Sequence, residues 1–165
     1  MNHDTVSTAR TLIADGKGIL AADETPGTLT KRFDALGIRS TAESRRAYRE
    51  LLFTAPDAAT SISGVIMQDE TIRQKSSTGP SLAQLLASRG IVPGIKVDTG
   101  AKPLALAPGE TVTEGLDGLR DRLAEYRGMG ARFAKWRAVI HIADGLPSGA
   151  CVSANCAKSP YSKSP

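Results

Sequence analysis

The sequence predicts an α/β fold with a parallel sheet, and three observations lead to that prediction. Four short apolar strands alternate with amphipathic helices along the 165 residues. The connections between successive strands are about 25 to 40 residues long, enough for a helical crossover between parallel strands. Charged residues follow the strands where each one ends. The composition, with 41% apolar and 23% charged residues, is that of an ordinary globular domain.

The first elements are a helix, a strand and a second helix. The spacing of apolar residues predicts a helix over residues 4–15. Residues 18–24 form an apolar run that ends in two carboxylates. We expect a strand that is buried on both faces and opens into a polar site at its carboxyl end. A turn begins at Thr25, and Thr28 is expected to cap the helix that follows.

The same order of strand and helix recurs further along the chain. Ser40 and Glu43 form a sequence capping box that predicts the start of the next helix, and residues 61–67 predict the second strand. Thr111 and Glu114 have the same spacing and predict a helix before the last strand. The predicted buried side of the helix after Ser40 comprises Ala47, Tyr48, Leu51 and Leu52.

Two later strands are unusual because each contains a lysine within an apolar run. The third strand covers residues 91–98 with Lys96, and the fourth covers residues 132–137 with Lys135. A buried ammonium group is costly unless it is paired or used. The two lysines therefore predict a polar pocket at the ends of the sheet. The alternative is that each lysine lies at the frayed end of an edge strand.

A doubly wound sheet and a closed eight-stranded barrel both fit this pattern, and two observations favour the TIM (β/α)8 barrel. Polar residues collect at strand carboxyl ends, where such barrels carry their catalytic groups. The glycine fingerprint of a dinucleotide site is missing after the first strand. Since a complete barrel takes about 250 residues, we expect only about the first four β/α units, a half-barrel. The polar residues at strand ends are Asp23, Glu24, Asp69, Glu70, Lys96, Asp98, Lys135 and Arg137.

Charge and composition argue against several classes of function. The formal charge of +4 is evenly spread, which argues against a nucleic-acid partner. No apolar stretch reaches the roughly 18 residues that span a bilayer, and a secretory leader is not recognisable, so we expect a cytoplasmic protein without membrane contact. The two histidines lack a nearby ligand cluster, so no metal site is expected. Cys151 and Cys156 are not expected to form a disulfide in that compartment.

Four segments, in this order and spacing, resemble the N-terminal half of the class I fructose-bisphosphate aldolases. They are LAADET at residues 20–25, GIKVD at 94–98, EGLDGL at 114–119 and FAKWR at 133–137. The similarity runs from about residue 8 to residue 155. It implies reversible cleavage of fructose 1,6-bisphosphate into dihydroxyacetone phosphate and glyceraldehyde 3-phosphate in glycolysis. The reaction uses a Schiff base between a lysine and the substrate ketone, with no metal or other cofactor.

The resemblance also implies roles for individual residues. Asp23 would hold and help deprotonate the C4 hydroxyl of the sugar. Lys135 would place a positive charge beside the Schiff base and assist proton transfer during its formation. The implied partner is a phosphorylated sugar, and self-association into a homo-oligomer is a further expectation. The implied phosphate-binding residues are Thr25, Thr28, Lys31, Arg32, Lys96 and Arg137.

The chain also departs from the family pattern. In the family the Schiff-base lysine lies on the sixth strand and the carboxylate acid/base on the fifth, whereas four strands are predicted here. We expect residues 1–150 to form the half-barrel, and residues 151–165, rich in Ser, Pro and Lys, to be disordered. A truncated or frame-shifted gene product, or a gene model that ends early, would explain this sequence, and a short evolved tail is the alternative.

Two functional hypotheses follow from this departure. The first is an aldolase whose chain is incomplete and inactive. The alternative is a non-catalytic phosphate-binding or interaction module derived from the half-barrel. Metal-dependent aldol chemistry, a third reading, is disfavoured because histidines are not clustered.

Overall fold

The structure, a computed structural model, describes residues 2–14 and 16–157. These residues divide into two compact units, the first formed by residues up to 96 with 124–134, and the second by residues 97–123 with those from 135 onward. The strands are β1 Gly18–Ala21, β2 Ile62–Met67, β3 Val92–Lys96, β4 Gly100–Pro103, β5 Thr111–Glu114 and β6 Phe133–Lys135. The helices are α1 Asn2–Leu12, α2 Pro26–Asp34, α3 Ala42–Thr54, α4 Ala58–Ser61, α5 Asp69–Arg73, α6 Leu82–Ser88, α7 Leu119–Gly128 and α8 Gly149–Ala157.

A four-stranded sheet in the order β1-β2-β3-β6 contains the four predicted strands. The pairs β1–β2 and β2–β3 are parallel, and helices occupy the connections, so the predicted α/β class is confirmed. Each strand is one to three residues shorter than the run that predicted it. The expectation that β1 is buried on both faces was wrong, because β1 is an edge strand and its Ile19 is 44% exposed.

Two glycines in the sheet of the first unit allow large side chains to lie against the backbone. A Cβ atom on Gly94 of β3 would lie 2.6 Å from Cε2 of the Phe133 ring and closer still to Cζ and Cε1. A Cβ atom on Gly64 of β2 would lie 2.5 Å from Cδ2 of Leu12 in α1. The glycines therefore let Phe133 and Leu12 cover this part of the sheet. The buried residues of this unit include Val65, Met67, Ile72, Leu82, Leu86, Ile91 and Ile95.

Helices α2 and α3 begin at residues other than those the sequence predicted. Thr25, not Thr28, caps α2, because its Oγ1 accepts the N–H of Thr28 at 3.3 Å. Thr41 caps α3 and forms a capping box with Ser44, so the predicted box of Ser40 and Glu43 was wrong. The hydroxyl oxygen of Ser40 accepts instead from the Thr30 hydroxyl at 2.8 Å, which ties α2 to the start of α3.

The buried side of α3 also differs from the prediction. The buried residues of α3 are Arg49 and Phe53, whereas Leu51 is 68% exposed and Ala47 is exposed. The sequence pattern predicted an apolar face, and the fold instead turns a charged residue inward. The physical reason is a nearby carboxylate, described below.

The second unit contains an antiparallel hairpin of β4 and β5 that the sequence did not predict. Gly100 lies opposite Glu114, and Pro103 lies opposite Thr111. The predicted helix cap at Thr111 and Glu114 was therefore wrong. Alternation of Thr and Val is typical of a strand, and the pairing with β4 decides the conformation. The chain turns after β5 at Gly115, which has a φ of 128°, and α7 begins only at Leu119.

Helix α8 corrects the prediction of disorder for residues 151–157, because these residues are helical. The Ser148 hydroxyl accepts the N–H of Cys151 at 3.1 Å and caps this helix. Asn155 is buried, its Oδ1 accepts the N–H of Thr113 at 3.1 Å, and its Nδ2 donates to the carbonyl of Thr111 at 3.0 Å. These bonds dock α8 on β5. The remaining part of the predicted tail, residues 158–165, lies outside the described residues.

Candidate functional site

The carboxyl ends of β1, β2 and β3 lie at one edge of the sheet in the first unit. Ala21, the last residue of β1, is opposite Ile66, and Met67, the last residue of β2, is opposite Ile95. Lys96 is the next residue after Ile95 and ends β3. Asp23 follows two residues after the end of β1. Both charged residues are half-buried, so this edge of the apolar sheet is polar.

The loop after β1 presents two hydroxyls at the start of helix α2. Oγ1 of Thr25 lies 3.1 Å from Oγ1 of Thr28, and both residues are exposed. Pro26 occupies the first turn of the helix, where its missing N–H costs nothing. The partial positive charge at a helix N-terminus favours anions, so the two threonines lie where an anion is stabilised.

Further along α2, two cations are exposed to solvent, Lys31 and Arg32. Nη1 of Arg32 donates to Oε1 of Glu24 at 2.5 Å, and the Arg32 side chain remains 57% exposed. Lys31 precedes it in the last turn of the helix. The first unit therefore brings Thr25, Thr28 and Arg32 together around the loop that contains Asp23.

Glu24 and Arg49 belong to this region, although the sequence did not assign them a role. Nη1 of Arg49 donates to Oε2 of Glu24 at 2.5 Å, and Nη2 donates to the Glu24 carbonyl oxygen at 3.0 Å. Burial by itself raises the pKa of Glu24, but the Arg49 hydrogen bond and the charges of Arg49 and Arg32 together lower that pKa below its ordinary value. Glu24 is therefore ionised at neutral pH.

A sequence signal for Arg49 does exist in retrospect. Glu24 lies three residues after the end of β1 and is partly buried, and a carboxylate that leaves solvent needs a cation. Arg49 and Phe53 are four residues apart on α3, which places them on one helix face. The sequence does not say which of several arginines on that helix turns inward.

Lys135 and Arg137 belong to the second unit. Lys135 is the half-buried last residue of β6, and its carbonyl oxygen accepts the N–H of Val97 at 3.1 Å. Arg137 is exposed, and its carbonyl oxygen accepts from Oγ1 of Thr113 at 2.8 Å. The backbone of Lys135 is thus held by the Val97 N–H, and the backbone of Arg137 is held by the Thr113 side chain of β5.

Two other predicted strand-end acids are engaged in ion pairs with arginines of the first unit. Arg45 donates to both oxygens of Glu70, at 2.9 Å from Nε and 2.6 Å from Nη2. Nη2 of Arg73 lies 2.8 Å from Oδ1 of Asp69, and Nη1 of Arg73 donates to Glu125 at 2.6 Å. These pairs hold α5 in place. Asp69 and Glu70 thus take part in ion pairs that stabilise the fold.

One cavity of about 490 Å³ lies in the first unit, and none of the predicted site residues lines it. Its lining includes Ser7, Thr8, Gln84, Val92 and Arg132. Val92 is the first residue of β3, so the cavity borders the amino end of that strand, whereas the predicted site residues follow the carboxyl ends. Within residues 2–14 and 16–157, no group of three or more His, Cys, Asp or Glu side chains could hold a metal ion. Over the same residues, no helix is long and apolar enough to cross a membrane.

Comparisons with known proteins agree on one family. The family model of class I fructose-bisphosphate aldolase matches residues 4–160. A probable class 1 fructose-bisphosphate aldolase of Xanthomonas campestris is 60% identical over 148 residues, which cover 90% of this chain and 44% of the relative. The cytosolic fructose-bisphosphate aldolase 6 of Arabidopsis thaliana is 52% identical over 140 residues, covering 85% of this chain and 39% of that protein.

A solved aldolase structure has the same fold over the matched part of the chain. The aldolase of Plasmodium falciparum, crystallised in complex with TRAP and a small-molecule inhibitor, superposes with a TM-score of 0.88 at 42% identity. The match covers 92% of this chain and 44% of that one. The parallel sheet is therefore part of an aldolase-type TIM barrel, and the chain spans less than half the length of the relatives it matches. The chain belongs to the class I fructose-bisphosphate aldolase family.

Proposed function

We propose that this chain provides the N-terminal part of a Schiff-base aldolase site. The reaction would be the reversible cleavage of fructose 1,6-bisphosphate into dihydroxyacetone phosphate and glyceraldehyde 3-phosphate, in the cytosol. The observation that carries the proposal is the position of Asp23 and Lys96. Both lie at the carboxyl edge of a parallel sheet that belongs to the aldolase family.

Asp23 is proposed as the group that handles the proton of the C4 hydroxyl. Cleavage of the bond between C3 and C4 requires removal of that proton, and a positioned carboxylate is a suitable base. Asp23 is half-buried two residues beyond the end of β1, where its carboxylate lies at the polar edge of the sheet.

Lys135 is proposed as a supporting cation. A positive charge beside a second lysine amine lowers the pKa of that amine, and only the neutral amine attacks a ketone. The half-buried position of Lys135 at the end of β6 strengthens this electrostatic effect, because less water screens its charge.

The phosphate groups of the sugar are proposed to bind to cations and hydroxyls near the strand ends. Phosphate oxygens accept hydrogen bonds most strongly from charged donors, and arginine can do so with two N–H groups. Exposure of the threonine hydroxyls and of both α2 cations leaves them accessible to a ligand. The residues proposed for this role are Thr25, Thr28, Lys31, Arg32, Lys96 and Arg137.

Titration calorimetry of the full chain with fructose 1,6-bisphosphate tests the binding part of the proposal. We expect saturable binding by the wild-type chain and weaker binding by Lys96→Met, by about tenfold, the equivalent of one lost charged contact. The matched control is Lys102→Met, because Lys102 is exposed on β4. Equal loss in both variants would mean that general charge, and not this site, binds the sugar.

Borohydride trapping tests the assignment of the lysines. By family resemblance the Schiff-base lysine lies on a strand beyond the four matched here, so Lys96 and Lys135 are not the nucleophile. After incubation with dihydroxyacetone phosphate and reduction, mass spectrometry should show no adduct on the 165-residue chain. An adduct on Lys135 would contradict the supporting role proposed for it.

A non-catalytic phosphate-binding or interaction module is the second candidate. The supporting observation is the outer edge of β1, with which no strand of the described residues pairs. Such an edge favours self-association, because its backbone N–H and C=O groups can pair with another chain. Sugar binding that persists in Asp23→Asn, together with a dimer or larger species in sedimentation, is the result this candidate predicts. A ligand-free monomer would contradict it.

A further inference from the structure

A buried cation lies beneath the loop that follows β1. Arg49 is 1% exposed, and its guanidinium group contacts Glu24 twice. One nitrogen donates to the Glu24 carboxylate, and another donates to the Glu24 carbonyl oxygen. The planar guanidinium group fixes the angle between its donors, so Arg49 sets the orientation of both the side chain and the main chain of one residue.

Glu24 connects the buried Arg49 to a side chain at the surface. Its second carboxylate oxygen accepts from Arg32 at 2.5 Å, so the carboxylate joins an interior arginine to an exposed one. The carbonyl held by Arg49 belongs to the peptide group between Glu24 and Thr25. The residues on either side of Glu24 are Asp23 and Thr25, and both are proposed above to contact the substrate.

The arrangement is poorly explained by stability alone. Replacing a buried ion pair with apolar side chains is often neutral or stabilising. Moreover, Nε of Arg49 is buried and has no hydrogen-bond partner among the described residues, which is an added cost. The Tyr48 ring, 5.5 Å from the guanidinium carbon, supplies a cation–π contact but no acceptor.

Charge offers an explanation. Glu24 and Arg32 by themselves form a neutral pair, which would attract a phosphate group weakly. With Arg49 the three groups carry a net charge of +1, since two cations share one carboxylate. The buried arginine thus lets Glu24 hold Arg32 in place without cancelling the positive charge of the region.

We propose that Arg49 is a positioning residue for the phosphate of the sugar, acting through Glu24 on Arg32 and on the main chain at Thr25. The proposal rests on the proposed function for its ligand. Arg49 itself does not touch the substrate. It restricts the motion of Arg32 before the ligand arrives, so that less freedom is lost on binding.

The first test measures the order of the Arg32 side chain by ¹⁵N relaxation of its Nε–H in the full chain. We expect an ordered Nε–H in the wild-type protein and a mobile one in Arg49→Lys and in Glu24→Gln. Lysine keeps the charge but cannot donate to two acceptors in a fixed plane. Arg46→Met is the matched control, because Arg46 is on the same helix and pairs with Glu43 and Glu50. Unchanged Arg32 order in both test variants would overturn the proposal.

The second test measures the affinity for fructose 1,6-bisphosphate. We expect Arg49→Met to weaken binding about tenfold, Arg49→Lys to recover part of that loss, and Arg46→Met to have little effect. Amide NMR spectra establish that each variant is folded, and Arg49→Lys decides the matter if Arg49→Met does not fold. A purely structural role predicts lower stability with unchanged affinity in the folded variants, and that outcome refutes the proposal.

The two tests separate this inference from the proposed function. If the wild-type chain does not bind the bisphosphate, the proposed function fails, whereas the relaxation data still decide whether Arg49 orders Arg32. If the wild-type chain binds the bisphosphate, and folded Arg49→Lys and Arg49→Met bind it as tightly as the wild type does, the proposed function stands and the role of Arg49 is refuted.

Discussion

Replacement of Gly94 by alanine tests the packing that shapes the sheet. Carbon atoms in contact are normally about 3.5 to 4.0 Å apart. A Cβ atom at residue 94 would lie 2.6 Å from Cε2 of the Phe133 ring and nearer to two other ring atoms. The ring, or strand β3, would therefore have to move by about 1 Å to restore an ordinary contact. Overpacking of this kind costs about 1 to 3 kcal/mol, and we expect Gly94→Ala to lower the free energy of unfolding by that amount.

Urea denaturation followed by far-UV circular dichroism measures this change. Gly18→Ala is the matched control, because Gly18 is also in a strand and a Cβ atom there would meet nothing within 4 Å. We expect the control to change the unfolding free energy by less than about 0.5 kcal/mol. The m-value should stay constant, since the surface exposed on unfolding is nearly the same.

A double variant shows whether Phe133 is the cause. Phe133→Leu removes the ring atoms that a Cβ on residue 94 would meet, so Gly94→Ala should cost less in the Phe133→Leu background. We expect a coupling energy of about 1 kcal/mol or more. Additive effects of the two substitutions, or a cost for Gly94→Ala equal to that of Gly18→Ala, would refute the packing described here.

Three further predictions concern the two units separately. The pKa of Glu24 is lower in the folded than in the unfolded protein, so its ion pairs stabilise the fold above the ordinary value of 4.5 and lose that effect as the pH falls through the folded pKa. The stability advantage of wild type over Glu24→Gln should thus be complete at about pH 6 and vanish on acidification, and a constant difference in urea titrations would contradict this. Asn155→Ala should cost about 1 to 3 kcal/mol and speed amide exchange at Thr113, whereas unchanged exchange would mean that α8 does not dock on β5. Thr41→Ala should lower thermal stability by about 1 kcal/mol and Thr41→Ser by much less, and equal effects would argue against the cap.

The strands of the sheet could be predicted because their signals are local. Apolar runs bounded by glycine and charged residues indicated β1, β2, β3 and β6, and the lengths of the connections indicated parallel pairing. Several ends were placed one to three residues too far out, because the ladder hydrogen bonds end before the side-chain pattern that marks the strand. Burial of β1 was misjudged because the sequence does not say which strand lies at an edge.

The errors arose where contacts between distant residues decide the outcome. Residues 111–114 fit a helix cap by spacing, but pairing with residues 100–103 makes them a strand. Residues 151–157 were grouped with the tail rich in Ser, Pro and Lys, yet the Asn155 amide satisfies two backbone groups of β5 and is buried there. Both outcomes depend on partners outside the local pattern, 8 to 14 residues away for the hairpin and 42 to 44 residues away for Asn155.

The site residues also divide into those that local sequence patterns predict and those that depend on a distant partner. Asp23, Lys96 and Lys135 could be placed at strand ends from sequence alone, because strand polarity and apolar runs define where each strand stops. Arg49 was missed because an arginine in a helix is usually solvated, and only the partner at Glu24 explains its burial.

Transfer of this segment into a complete relative tests the central claim most directly. Residues 4–160 would replace the matching segment of the Xanthomonas campestris aldolase, and the cleavage of fructose 1,6-bisphosphate would be followed with a coupled assay. We expect an active chimera in which Asp23→Asn lowers kcat by about 10² to 10⁴-fold, and Lys135→Met lowers it by about 10² to 10³-fold. Asp34→Asn, an exposed residue of α2, should leave kcat unchanged. An active chimera that is indifferent to Asp23→Asn and Lys135→Met would contradict the assignment of catalytic residues to this chain.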